Sequence, residues 1–201
     1  RLFLMRFLLI LFTVLVGHGG LWLGNDGERS AADVAERVGS EDGCPTGDET
    51  LVVFWNLENF FDCKRDSSLS KSASDKEVTP SGIRHWTSSR FSAKCSNIAR
   101  TLLYIGEKCG RMPDFVGFAE IENEYVVKRI VRSEALSDYD YAYVHYDSPD
   151  ARGIDVACIY RKSSFEMVYS EALRIDEFQT RDILHVKLES RGGETETEFF
   201  V

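Results

Sequence analysis

Two oxygen-bearing side chains stand where a pair of buried strands would end. Asn56 follows the apolar run at residues 51–55 (LVVFW), and Glu120 falls near the end of residues 114–121 (DFVGFAEI). An amide oxygen beside a carboxylate is the kind of hard-oxygen pair that magnesium or calcium prefers, with substrate phosphate and water free to complete the coordination shell. A cation held there would polarise a phosphoryl oxygen and stabilise a leaving alkoxide. Taken as isolated residues, the same pair also reads as an Asn capping a strand end and a solvated Glu. Whether the two meet depends on the elements that carry them.

Residues 51–55 form a short, unbroken apolar run between polar stretches, the pattern of a strand buried on both faces. Across residues 92–109, Cys95, Ile98, Ala99, Leu102, Ile105 and Cys109 recur at intervals of three and four, which places them on one helix face. Gly110 and Pro113 end that helix. Residues 114–121 are then a second strand, in which Gly117 would pack closely against a neighbour. Strand, helix and strand in this order make a crossover unit, whose two strands lie parallel with their carboxyl ends on one edge of the sheet. Asn56 and Glu120 are therefore expected side by side. Val126, Val127, Ile130, Val131 and Ala135 suggest a shorter second helix, and strands are expected at 141–145, 154–161, 165–169, 183–188 and 198–201. The polar, Ser-rich residues 64–82 read as a surface loop.

At 201 residues, 43% hydrophobic and 12% aromatic, the chain has room for one well-cored domain. Its net charge of -9 opposes any protein that holds nucleic acid by an overall basic surface, because such binding rests on lysine and arginine displacing counterions. A phosphate substrate would need local help, such as a bound cation. Residues 7–16 (FLLILFTVLV) follow Arg6 and precede Gly17-His18-Gly19-Gly20, the layout of a signal peptide. The run is about half the length of a bilayer-spanning helix; an uncleaved anchor is the alternative. Residues 1–24 are accordingly expected to be a signal peptide or N-terminal anchor, 25–50 a flexible linker, and 51–201 the folded domain. This implies a secreted or periplasmic protein, anchored at the cell surface if the leader is retained. The five cysteines include no C-x-x-C pair, which argues against structural zinc, and Cys95, Cys109 and Cys158 read as small buried hydrophobes.

Three further segments carry a resemblance. Residues 55–62 (WNLENFFD), 118–123 (FAEIEN) and 145–157 (HYDSPDARGIDVA) resemble successive motifs of the endonuclease/exonuclease/phosphatase superfamily, most closely its secreted bacterial branch. The similarity runs in register from about residue 51 to 201 and takes in 86–94 and 180–184. It implies an α/β fold, a layered sandwich of two mixed β-sheets flanked by helices, truncated here at the C-terminal side. It also implies a metal-dependent phosphodiester hydrolase, foremost a secreted endonuclease-like enzyme. Within that resemblance Asn56 and Glu120 belong to the metal and phosphate site, with Glu120 the principal ligand of Mg2+ or of Mn2+ or Ca2+. Asp155 joins them as a catalytic residue, while Arg152 and Arg181 are substrate-binding. For these last three, a loop-ordering ion pair is the alternative.

The family's reaction is attack of water in line at phosphorus, with a histidine and an aspartate handling the proton. Its Asn-His, Asp-x-Asn and terminal Asp-His motifs would fall beyond Val201. Of the four histidines, His18 lies in the leader, His85 in a polar loop, His145 at a strand end and His185 within a strand. Each is expected to be structural or solvated and not a general base. The segment alone is thus expected to bind metal weakly, to turn over little, and to carry an exposed sheet edge and apolar faces. Its expected partner is nucleic acid or another phosphate ester, it is expected to be a monomer, and no stable membrane span is expected once the leader is removed. The alternatives are a phosphatase or phospholipase-type hydrolase of the same fold, or a non-catalytic surface binding domain.

Overall fold

The computed structural model describes residues 8–13, 44, 49–64, 77–177, 179–192 and 195–201. Leu51, Val53, Trp55 and Leu57 of strand β2 (Leu51–Phe60) point into one core and Val52 into another, which is why the strand reads as an unbroken apolar run. It lies in a five-stranded mixed sheet of order β1-β2-β3-β5-β4, with β1 at Leu8–Thr13, β3 at Phe115–Ile121, β4 at Tyr141–His145 and β5 at Asp155–Arg161. Helix α1 (Ser88–Cys109) carries the chain from β2 to β3, and these two strands are parallel, as the crossover requires. Strand β5 runs antiparallel to both β3 and β4. The second sheet holds β6 (Phe165–Leu173), β7 (Ile183–Ser190) and β8 (Glu196–Phe200). Among the described residues all its pairings are antiparallel, so of the two sheets expected the five-stranded one carries the parallel pairings.

Helix α1 begins at Ser88, a turn earlier than the apolar spacing predicts, because Thr87 caps it: the threonine hydroxyl accepts from Arg90 N at 3.3 Å. The added turn brings Phe91 into the core beside Cys95, Ile98, Ala99, Leu102 and Ile105, and Gly110 closes the helix in the left-handed conformation at φ 66°. Helix α2 (Glu124–Val131), capped by Asn123, and a 3-10 turn (Glu134–Tyr139) complete the helical layer on this face. On the other face Val52, Phe115, Val144, Cys158 and Tyr160 pack against Phe165, Leu184, Val186, Leu188 and Phe199 of the second sheet, with the Phe115 and Phe199 rings stacked at 3.9 Å. Gly117 keeps this interface closed, since a Cβ there would stand 3.1 Å from the Phe54 ring and 3.2 Å from Val201. Cys95 and Cys158 are buried free thiols as expected, but Cys109 is not a core hydrophobe; it is bonded to Cys44.

Residues 8–13, inside the predicted leader, pair in parallel with β2 from Leu8↔Leu51 to Thr13↔Asn56. An apolar segment of this kind suits a strand wherever a neighbouring edge offers free N–H and C=O groups, and the outer edge of β2 is such an edge. The linker expected at 25–50 lies outside the described residues apart from 44, 49 and 50, as does 65–76 of the predicted loop. No helix among the described residues is long and apolar enough to cross a membrane. Apolar exposure gathers on the second sheet, at Met167, Val168, Tyr169, Ile183 and Phe200.

Candidate phosphate and metal site

The carboxyl ends of β2, β3 and β4 and the amino end of β5 share one edge of the large sheet. The register aligns Asn56 with Ala119, Ile121 with Asp155, and His145 with Ala157. Irregularities between Asn56 and Phe60 and between Ala119 and Ile121 lift both strand ends out of regular pairing. Three side-chain-bearing residues there adopt left-handed backbone, Glu58 at φ 53°, Asn59 at 46° and Glu120 at 62°. Such residues cost roughly 1–3 kcal/mol each and persist where their surroundings over-determine them, as at binding sites. Asn56 Oδ1 accepts from Glu58 N at 2.8 Å, and Glu120 Oε2 accepts from Asn59 N at 3.0 Å. The two oxygens thus converge on consecutive amides of a single turn. Just beyond, Glu122 N donates to Phe60 O at 3.1 Å and Asp62 N to Glu122 Oε2 at 2.6 Å, tying the two bulges together.

Arginines face this turn. Arg181, just ahead of β7, brings Nη1 to 3.9 Å from Glu120 Oε1, an ion pair too long for a hydrogen bond. Arg152 lies in the turn before β5 and clamps buried Asp150, whose Oδ1 accepts from Arg152 N at 2.8 Å and Nε at 3.1 Å, and whose Oδ2 accepts from Nη2 at 2.9 Å. Burial would raise the Asp150 pKa, but those hydrogen bonds and the charges of Arg152 and Arg181 outweigh it and hold the carboxyl below its usual range. The Asp150 hydrogen bond, joined by the Asp150 and Glu120 charges, raises the Arg152 pKa. Glu120, Asp150, Arg152 and Arg181 therefore share one electrostatic neighbourhood. The spacing of Asp150 and Arg152 across a turn was the available sequence signal for Asp150, which the motif reading left unassigned.

Asp155 is arranged differently. Its Oδ1 accepts from Ser148 N at 2.9 Å and Ser148 Oγ at 2.6 Å, and its Oδ2 lies 3.0 Å from His145 Nε2. Both side chains of the His145 and Asp155 pair are nearly inaccessible. These contacts order the loop that carries Asp150 and Arg152 to the sheet edge. The structure thus gathers Asn56, Glu120, Arg152 and Arg181, and turns Asp155 toward the loop behind them. His145, Asp147 and Asp155 also present ligand atoms within 4.8 Å of one another, a second group able to hold a metal ion.

The donor set of the turn fits a hard divalent cation. A carbonyl oxygen such as Asn56 Oδ1 has a second lone pair beyond the one that meets Glu58 N, and Glu120 Oε1 stands 3.9 Å from the Arg181 guanidinium, beyond hydrogen-bond range.

The Endonuclease/Exonuclease/phosphatase family matches residues 51–201. No curated protein matches the sequence. Among solved structures, a humanized D. rerio TDP2 is similar at 15% identity and a TM-score of 0.45, over 77% of this chain and 46% of its own. An endonuclease/exonuclease/phosphatase family protein from Bacteroides thetaiotaomicron is similar at 17% identity and a TM-score of 0.41, over 55% of this chain and 41% of its own. A mannosyl-6-phosphatase of Bacteroides thetaiotaomicron is similar at 19% identity and a TM-score of 0.42, over 55% and 42%. This chain thus spans less than half the length of each of these structures. The family match begins at the first residue of β2 and takes in every strand and helix that builds the site, and the chain belongs to the Endonuclease/Exonuclease/phosphatase family.

Proposed function

We propose that the protein is an exported, metal-dependent phosphodiester hydrolase, endonuclease-like in its substrate, and that this chain supplies its cation and phosphate site. The observation that carries the reading is the convergence of Asn56 Oδ1 and Glu120 Oε2 on the amides of Glu58 and Asn59, beside Arg181. Glu120 is the principal ligand and Asn56 its neighbour, with Mg2+ the proposed ion and Mn2+ or Ca2+ the alternatives. Bound there, the ion would polarise a phosphoryl oxygen and stabilise the leaving alkoxide. Arg181 and Arg152 are placed to balance charge on the non-bridging oxygens, and Arg152 is held in a fixed orientation by its bidentate pairing to Asp150. Asp155 keeps the loop bearing that pair in place through Ser148 and His145. The net charge of -9 gives the remaining surface no general hold on a polyanion, so binding falls to this local cluster.

Export is supported by the leader-like residues 7–16 and by the Cys44–Cys109 disulfide, a bond that persists in oxidising compartments. A second reading, hydrolysis of a small phosphate ester, draws on the same acidic surface, which repels a long polyanion more than a small one. We take the protein to act as a monomer. The test is to assay the complete protein, without its leader, on plasmid DNA, RNA and bis-nitrophenyl phosphate, with and without Mg2+. Cleavage of DNA or RNA that requires the ion supports the endonuclease-like reading. Turnover of the small ester alone favours the second, and no turnover of any of the three with metal present refutes both.

A further inference from the structure

We infer that Lys94 is a positioning residue of the cation and phosphate site, acting through the backbone of the turn that Asn56 and Glu120 hold. This rests on the reading of that turn given above. Trp86, Arg90 and Lys94 recur at intervals of four, from just ahead of α1 into its second turn; Trp86 and Lys94 reach the end of β2, and Arg90 braces Trp86. Trp86 Nε1 donates to Phe61 O at 2.8 Å. Arg90 lies over the Trp86 ring at 5.6 Å and donates to the carbonyls of Arg84 and His85 at 2.7 and 3.1 Å, which fixes the indole's own segment. Lys94 Nζ donates to Leu57 O at 2.6 Å and sits 4.6 Å from the centre of the Phe60 ring.

The turn is consequently gripped from two sides. Its carbonyls at Leu57 and Phe61 are taken by the helix side, and its amides at Glu58 and Asn59 by Asn56 and Glu120. Between the two grips lie the left-handed residues Glu58 and Asn59. Releasing either grip lets that backbone relax, and relaxation would rotate the amides that orient the two oxygens. An ammonium suits the task because it is a point charge on a long stem, able to reach a carbonyl while its methylenes pack on an aromatic ring. Burial pushes the Lys94 amine down to about 8, opposed by the charges of Glu58, Cys95 and Glu120. A part-buried lysine is costly unless its interactions are needed, and its hydrogen bond and ring contact both lead to the turn.

The test is Lys94→Met, which keeps the stem's bulk against Phe60 and removes both donor and charge. Two quantities are measured on the complete protein: Mn2+ affinity by titration calorimetry, with Mn2+ as the probe cation, and amide hydrogen exchange at Glu58 and Asn59 against Val53. A positioning role predicts an affinity loss of about 10–100-fold, the usual effect of residues behind a metal's own ligands. It also predicts exchange at Glu58 and Asn59 faster by at least about tenfold, with Val53 unchanged. Lys94→Arg, which keeps donor and charge, should recover part of both effects, and Lys108→Met, on the same helix, should show neither. Unaltered affinity and exchange in Lys94→Met would overturn the proposal, and so would a uniform rise in exchange across β2 and α1, the mark of a lysine that merely supports the fold. If the unsubstituted complete protein binds no Mn2+, the cation reading fails by itself, while the exchange comparison still decides the role of Lys94 in the turn.

Discussion

Glu120→Gln separates the chemistry of the site from its architecture. The substitution preserves shape and leaves a neutral carbonyl oxygen to accept from Asn59 N, now bonded to Glu120 Oε2 at 3.0 Å. A hydrogen bond to a charged group is worth about 1.5–3 kcal/mol and a neutral one about 0.5–1.5 kcal/mol, so the exchange costs the turn on the order of 1 kcal/mol. The ion pair to Arg181 at 3.9 Å is long and the guanidinium partly exposed, so its loss adds little. For a chain of this size that cost lowers Tm by about 2–4 °C. The chemical effect should be far larger. Removing the one carboxylate proposed as principal ligand takes away the charge that makes the donor set attractive to a hard cation, and Mg2+-dependent turnover of the complete protein should fall to background. The assay pairs a thermal melt with plasmid nicking across a Mg2+ titration. Turnover within about threefold of the parent at saturating Mg2+ would remove Glu120 from its role. A Tm drop above about 10 °C would show instead that the carboxylate is chiefly a structural brace.

Three other perturbations probe the frame. The Cys44–Cys109 bond spans a sequence separation of 65, and closing a loop of that length stabilises by about 4 kcal/mol in the chain-entropy account. Cys44→Ser with Cys109→Ser should therefore lower Tm by roughly 10 °C in a calorimetric scan, and an unchanged Tm would mean the bond does not form. Gly117→Ala pushes a methyl into the Phe54 ring and Val201, and should cost about 1–3 kcal/mol by urea unfolding; a neutral result would show that this interface yields easily. Asp150, held below its ordinary pKa by Arg152 and Arg181 despite its burial, stabilises the fold above the unfolded-state value of about 3.9, and the contribution is lost as pH falls through the lower folded value. Asp150→Asn should consequently flatten the acid limb of a stability-versus-pH curve below about pH 4, and a limb of unchanged slope would assign it to other carboxylates.

What the sequence discloses depends on the range of the physics involved. The β2, α1 and β3 unit is legible because the buried run of 51–55, the three-and-four spacing of Cys95, Ile98, Ala99, Leu102 and Ile105, and the stop at Gly110 are local patterns, and they suffice to put Asn56 and Glu120 on one edge. The early start of α1 hid in the Thr87 cap, whose hydroxyl acts without contributing to apolar periodicity. Harder to read are the groups whose partners lie far along the chain. Lys94 looks like an ordinary helix-surface residue until Leu57 folds back beneath it, at a sequence separation of 37. Cys109 fits the apolar spacing as a core residue, and only the position of Cys44 makes it a crosslink. For Asp155 the sequence shows the carboxylate, while its partners Ser148 and His145 are set by loop geometry.

The parallel pairing of β1 bears on the site as well. Parallel neighbours end on the same edge of a sheet, so a strand on the outer side of β2 delivers its carboxyl end next to Asn56, and the register Thr13↔Asn56 is that geometry realised. The edge itself requires a partner, because an unpaired row of N–H and C=O groups beside an apolar strand invites association with other chains. The leader-like residues meet the requirement through composition alone: hydrophobicity that suits a membrane-directed segment equally suits a strand with both faces covered. In the exported reading proposed above, processing of a leader and completion of the sheet would compete for the same six residues, 8–13. Removal of the leader would reopen the side of β2 nearest the proposed cation site. In that reading the edge would be covered by another strand, a helix or a loop, or blunted by charges or a bulge.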